Sequence, residues 1–215
     1  MTYSPPTALR QAGREFGIGE MLYVPGFLAP EKAEGLFAEV IDQANWETER
    51  LVMFGRHVQA PRLTAWYGEP GTSYRYSGVV RPAQDWLPPI RCLAKQVSEA
   101  VAWRFNYVLV NRYRDGSDML GWHADDEADL GEAPVLAAVS VGAERMFRVR
   151  PRGGGASVGR TLGHGSLLLM WGNSQRDYKH CLPRTRRPLG ERLSFTFRST
   201  PSALDSASSS AAESA

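Results

Sequence analysis

The sequence predicts a mainly β protein with flanking helices, an α+β chain whose strands form a sandwich or barrel buttressed by helices. Two observations carry this. Helical periodicity is confined to two segments in the first half, and after residue 104 the apolar period switches from 3.6 to two. The period-two segments are short and separated by Gly, Pro and Asp turns. That is the pattern of antiparallel sheets, not of alternating βαβ units.

In chain order, residues 30–44 read as a helix, with Ala33, Leu36, Phe37, Val40 and Ile41 at i, i+3, i+4, i+7 and i+8 and Pro30 in the first turn. Residues 62–67 and 74–78 read as short strands. A second helix spans 89–102, with Ile90, Leu93, Ala94, Val97 and Val101 on one face. Strands follow at 105–113, 135–141, 145–150, 166–171 and 192–198. Gly153, Gly154 and Gly155 form a turn between two of them, without the strand-to-helix setting of a phosphate loop. From Ser199 onward the chain is polar and poor in bulky apolar residues, so it is expected to be disordered.

Composition narrows the function classes. The chain has 215 residues, enough for one domain with a substantial core. No apolar run approaches the ~18 residues of a membrane span, and the N-terminus lacks the apolar core of a signal peptide. Two cysteines, Cys92 and Cys181, exclude a disulfide framework and a four-cysteine zinc site. A reducing, cytoplasmic setting is expected. The net charge is only +2, yet seven acidic residues lie between Asp115 and Glu132, and twelve Lys or Arg between Arg145 and Arg198. This asymmetry suits an acidic rim beside a basic surface able to meet phosphates. The preference for Arg over Lys is equally well explained by a GC-rich genome.

The chemistry concentrates at His123-Ala124-Asp125. Two side chains one residue apart lie on the same side of an extended backbone. With a distant His they can occupy one face of an octahedral metal, the 2-His-1-carboxylate set of non-haem Fe(II) oxygenases. A His-x-Asp tripeptide also arises by chance, and a single His is more often a surface or hydrogen-bonded residue. His164 and His180 compete for the distal position. His164 sits in a glycine-flanked turn, whereas His180 approaches the Arg192 strand and is preferred. Alternation along Arg192–Arg198 places Arg192, Ser194, Thr196 and Arg198 on one face and Leu193, Phe195 and Phe197 on the other. Two fixed cations beside a metal suit a dicarboxylate. Asn111 and Tyr113 share a face of an upstream strand, where cross-strand packing is the ordinary role. Asp126 and Glu127 extend an acidic run that is usually solvated, and Trp122 is as well suited to packing as to ligand contact.

Asn111-x-Tyr113, the Gly121–Glu127 segment GWHADDE, Ser140-x-Gly142, Arg145-x-Phe147, His164-Gly165-Ser166-Leu167, His180-x-Leu182-Pro183 and Arg192 with Arg198 together resemble the AlkB family. These are Fe(II)/2-oxoglutarate dioxygenases that repair alkylated nucleobases, and the resemblance covers roughly residues 23–200. It implies a double-stranded β-helix (jelly-roll) core at 105–200, preceded by an extension (1–20) and a segment of helices and nucleobase-recognition lid (21–104), and followed by a disordered tail (201–215). It implies His123, Asp125 and His180 as Fe(II) ligands, with His164 at a turn. Asn111, Tyr113, Arg192, Ser194, Thr196 and Arg198 would bind the 2-oxoglutarate cosubstrate, with O2 as the oxidant. Ser194 departs from the Asn carried there by many relatives.

Upstream, Phe54-Gly55-Arg56, Pro61-Arg62, Tyr67-Gly68 and the 74–78 segment YRYSG look like the family's lid. By that resemblance Phe54 would be a wedge at a hairpin tip, Tyr74 and Tyr76 would border a flipped base, and Arg62, Trp122, Asp126 and Glu127 would complete the substrate contacts. The implied partner is alkylated DNA, single- or double-stranded, with RNA as an extension, and the chain is expected to be monomeric and free of membranes. Hydroxylation of RNA or protein, and binding of alkylated nucleic acid without turnover, are the competing readings. A pure binder would need neither the three metal ligands nor both arginines.

Overall fold

The computed structural model describes residues 3–53, 56–76 and 79–200. In chain order the elements are α1 (Thr7–Ala12), β1 (Arg14–Glu15), β2 (Met21–Val24), α2 (Pro30–Gln43), β3 (Glu47–Met53), β4 (Arg56–Gly68), β5 (Ser73–Tyr76), β6 (Val79–Pro82), β7 (Gln84–Asp85) and α3 (Pro88–Val101). There follow β8 (Tyr107–Tyr113), β9 (Leu120–His123), β10 (Leu136–Gly142), β11 (Arg145–Pro151), β12 (Val158–Leu162), β13 (Ser166–Met170), α4 (Ser174–Asp177), β14 (Tyr178–Leu182) and β15 (Arg192–Arg198).

Among the described residues the strands form a large sheet in the order β1-β2-β13-β10-β15-β8-β4-β3, with β7 beside β4. A small sheet runs β12-β11-β14-β9, and β5 pairs with β6. Apart from the parallel β4–β7 pair the pairings are antiparallel. This is the sandwich that the period-two pattern implied, in the jelly-roll form that the resemblance implied.

Alternation decides which residues face which layer. Leu193, Phe195 and Phe197 of β15, with Val108 and Val110 of β8 and Val139 of β10, point to the side carrying α2 and α3. There they meet Leu36 and Val40 of α2 and Ile90, Leu93, Val97 and Val101 of α3. Burial of such side chains contributes about 1.5–3 kcal/mol each. The opposite face, with Tyr107, Leu109, Ala138 and Met170, packs on Phe147, Val149 and Leu162 of the small sheet. The polar face of β15 therefore opens between the two sheets.

Both helices begin with Pro in the first turn, which has no N–H to leave unpaired. Gly142 closes β10 at φ 89°, opposite Arg192 in the ladder. A Cβ there would lie 2.4 Å from the Glu191 carbonyl oxygen, so only glycine brings the two strands this close.

Several expectations change. The expected short strand at 62–67 is part of a thirteen-residue strand. Its pairing with β3 slips between Thr48 and Arg50, where Glu49 faces the extra residues around Pro61 of β4. Proline cannot donate to the ladder, which favours a bulge at this point. β2, β3, β9, β12 and β14 were not foreseen. Residues before 21 add α1 and β1, and the upstream β2, β3 and β4 share the large sheet with β8, β10, β13 and β15. The polar tail begins later than expected. Ser199 Oγ donates to the Arg104 carbonyl, and Thr200 N donates to Asn106 Oδ1 at 2.9 Å. The expected disordered stretch 201–215 lies outside the described residues.

Candidate metal and cosubstrate site

His123 ends β9, and His180 stands directly opposite it on β14. The ladder alone thus brings the two imidazoles together, with ring centroids 4.2 Å apart. Asp125 follows after the strand has ended, so its position is not set by strand alternation. Its backbone N–H donates to Gln175 Oε1 at 3.0 Å, tying it to α4. One donor atom from each of His123, Asp125 and His180 lies within 4.8 Å of the others, and this is the His/Cys/Asp/Glu group of metal-binding geometry among the described residues. His164 lies elsewhere: its Nδ1 accepts from the Gly142 N–H at 2.9 Å.

The surroundings prepare these groups as ligands. His123 Nδ1 lies 2.8 Å from the Gly121 carbonyl, which can only accept, so the proton sits on Nδ1 and the Nε2 lone pair is available. His180 is buried, and Phe147 stacks on it at 5.2 Å. Burial, then the neighbouring His123, lower its pKa to about 3, and burial lowers that of His123 too. Both imidazoles are therefore neutral at pH 7. Burial acts to raise the Asp125 pKa, but the Arg198 charge and its hydrogen bond outweigh it and hold it at about 2. Arg198 Nη2 donates to Asp125 Oδ1 at 3.0 Å. Two neutral imidazoles and one carboxylate are a donor set that Fe(II) takes, leaving positions open.

Beside this cluster the polar face of β15 continues the cavity. Arg192, Ser194, Thr196 and Arg198 line it with Asn111 and Tyr113 of β8 and Arg62 of β4. Arg192 is among the most deeply buried side chains. Its Nη2 donates to Ser140 Oγ at 2.8 Å and its guanidinium lies 5.3 Å from the Tyr113 ring centroid. Its Nε and Nη1 are buried and have no hydrogen-bond partner. Burial lowers its pKa to about 10, and among the described residues no carboxylate pairs with it. Two orphaned donors on a buried cation fit the carboxylate of a small acid.

The residues expected at the substrate side are dispersed. Arg62 is buried: its Nε donates to Asn111 Oδ1 at 2.7 Å and its Nη2 to Glu49 Oε2 at 2.9 Å. Asp126 is exposed and paired with Arg152, a partner the sequence did not suggest. Glu127 opens a short 3-10 turn at Ala128–Leu130. Trp122 carries the Arg150 guanidinium 4.2 Å from its ring centroid. Phe54 lies outside the described residues, as do the side chains of Tyr74 and Tyr76, whose backbone forms β5. Sequence reasoning gave no role to Ser140, Phe147, Gln175 or Glu49. The first two stood inside quoted motifs; the others carried no local signal.

A family model described as the 2OG-Fe(II) oxygenase superfamily matches residues 20–198. Fold and site are those of this superfamily, with a His-Asp-His cluster suited to Fe(II) and a buried arginine suited to a small acid. Among relatives, the chain is 35% identical over 192 residues to alpha-ketoglutarate-dependent dioxygenase alkB homolog 3 of Bos taurus, covering 85% of this chain and 66% of that one. It is 36% identical over 178 residues to DNA oxidative demethylase ALKBH2 of Mus musculus, covering 78% and 74%. The chain belongs to the AlkB family. Its match spans just under two thirds of the bovine relative's length. The solved structure of OsALKBH1 shares the fold, with a TM-score of 0.63 at 15% identity, covering 87% of this chain and 99% of that one.

Proposed function

We propose that this protein oxidatively dealkylates N-alkylated nucleobases such as 1-methyladenine and 3-methylcytosine in DNA, a direct repair that releases formaldehyde and succinate. The observation that carries the reading is the shared cavity: a His-Asp-His cluster with neutral imidazoles opens beside a buried arginine that has two donors to spare. The name of one relative, DNA oxidative demethylase ALKBH2, supplies the substrate class.

His123, Asp125 and His180 would hold the iron, which with 2-oxoglutarate would supply activation of O2 and the oxidising equivalents. Arg192 and Tyr113 would grip the distal carboxylate of the cosubstrate, and Ser140 fixes the guanidinium in place. Asn111, Ser194 and Thr196 complete that pocket. Arg198 donates to the Asp125 carboxylate and would keep it oriented as a ligand. Hydroxylation of the N-alkyl carbon yields a hemiaminal that collapses to formaldehyde and the repaired base. A base within a duplex must first be flipped, at a cost of a few kcal/mol that alkylation reduces by spoiling pairing. Phe54 would fill the gap, and Tyr74, Tyr76, Trp122, Asp126 and Glu127 would border the base.

The protein works as a monomer in the cytoplasm on single- or double-stranded DNA and on RNA, without a membrane partner. The free cysteines Cys92 and Cys181 favour the reducing compartment. Among the described residues no helix is long and apolar enough to cross a membrane.

The test is mass spectrometry of a panel of methylated oligonucleotides after incubation with Fe(II), 2-oxoglutarate and ascorbate. Loss of the methyl mass from a 1-methyladenine or 3-methylcytosine oligonucleotide, with succinate formed, is expected. Succinate formation with every oligonucleotide unchanged would favour RNA or protein hydroxylation, and binding without succinate would favour a non-catalytic reader.

A further inference from the structure

Glu49 has no place in the chemistry above, yet it is buried, charged and linked to the cosubstrate cavity. The register slip between β3 and β4 sets one residue of β3, Glu49, against the extra residues of β4 around Pro61. This geometry lets Glu49 and Arg62 meet inside the protein at 2.9 Å, with side chains 4% and 2% exposed. The same guanidinium donates from Nε to Asn111 Oδ1 at 2.7 Å. Arginine only donates, so it fixes the Asn111 carboxamide with its oxygen toward Arg62 and its Nδ2 as the donor left for the cavity. Without that guanidinium the amide could turn over and present an acceptor instead, which would repel a carboxylate.

We propose that Glu49 is a positioning residue, which acts through Arg62 to hold Asn111 as a donor to 2-oxoglutarate and so ties the β3–β4 hairpin to cosubstrate binding. This rests on the oxygenase assignment and on Asn111 facing the cosubstrate, and it adds a residue outside the cavity that tunes it. Because Glu49 and Arg62 sit on the two strands of the hairpin, the link runs both ways. Binding at the cavity and the Glu49–Arg62 pairing would then favour each other, as reciprocity of coupled sites requires.

Calorimetric titration of 2-oxoglutarate into the Mn(II)-loaded protein, without nucleic acid, tests it. Glu49→Gln keeps the size and removes the charge. It should weaken 2-oxoglutarate binding by about 10-fold, a typical coupling, and raise KM for 2-oxoglutarate with kcat nearly unchanged. In an Asn111→Ala background the same substitution should change the affinity less than twofold, because its route of action is gone. The Glu49→Gln/Arg62→Gln pair, which removes both charges of the ion pair together, guards against misreading a loss of folding. It should fold normally and still bind 2-oxoglutarate weakly.

Wild-type affinity in Glu49→Gln, or an equal loss with and without Asn111, overturns the proposal. A wild-type protein that binds no 2-oxoglutarate overturns both this and the oxygenase reading. If the Glu49 effect appears while no methylated base is repaired, the substrate assignment fails alone and the positioning role stands.

Discussion

Replacing Arg192 by Met should make the protein more stable and less able to bind its cosubstrate. The guanidinium is buried with two nitrogens unpaired, and burial lowers its pKa well below the usual arginine value, to about 10. At 1.36 kcal/mol per unit, keeping that cation out of water costs about 3 kcal/mol. Methionine removes this cost while filling much of the same channel. It forfeits the 2.8 Å bond to Ser140 and the contact with the Tyr113 ring, together about 1–2 kcal/mol. The ligand-free variant should gain about 1–2 kcal/mol, a rise in Tm of roughly 2–8 °C for a chain of this size. With 2-oxoglutarate the sign reverses. Truncating one partner of a buried charge pair costs about 2–5 kcal/mol, so affinity should fall at least about 30-fold. Thermal unfolding with and without 2-oxoglutarate, paired with calorimetric titration, measures both effects. A ligand-free variant that melts several degrees below wild type would refute the stability reasoning. A dissociation constant within threefold of wild type would show that another group holds the acid.

Two further outcomes are expected. The metal-free protein should lose stability as pH falls below 6.5. The His180 pKa is depressed to about 3, so over that window the unfolded chain binds the extra proton. The loss is on the order of 1 kcal/mol per pH unit from His180 alone, and Asp125, at about 2, adds to it below the usual carboxylate range. Denaturant titrations at pH 7, 6 and 5 check this, and flat stability would contradict the neutral, buried imidazole. In the substrate reading, Phe54→Ala should slow repair of 1-methyladenine in a duplex far more than in a single strand, while Tyr76→Ala slows both. Matched oligonucleotides compare the rates, and equal losses for Phe54→Ala would remove the wedge.

The parts of this protein legible in the sequence are those governed by strong local patterns. The apolar faces of α2 and α3 and the alternation of β15 required only counting, and the alternation already separated Arg192, Ser194, Thr196 and Arg198 from the core. Strands such as β12 and β14 escaped because Val-Gly-Arg-Thr-Leu and Tyr-Lys-His-Cys-Leu alternate too weakly to declare themselves. They are strands because tertiary pairing to β11 overrides local preference. The reason for the position of Asp125 was also invisible: it depends on Gln175, fifty residues away, and not on the strand assumed for it. Glu49 and Arg62 are thirteen residues apart, and only a slip in ladder register makes them partners. Cross-strand register is a global property, so no reading of either segment alone could have paired them.

The two imidazoles face each other across one rung of the ladder between β9 and β14, and β9 is an outer strand of the small sheet whose sole neighbour among the described residues is β14. A divalent ion shared by those rings would thus also be a cross-strand staple at an outer edge of the small sheet. Binding it would remove freedom from an edge strand, and that stabilisation would be lost whenever the ion departs. In iron-poor cells the first consequence of metal loss would then be a frayed margin, open to proteases before the remainder of the fold has loosened.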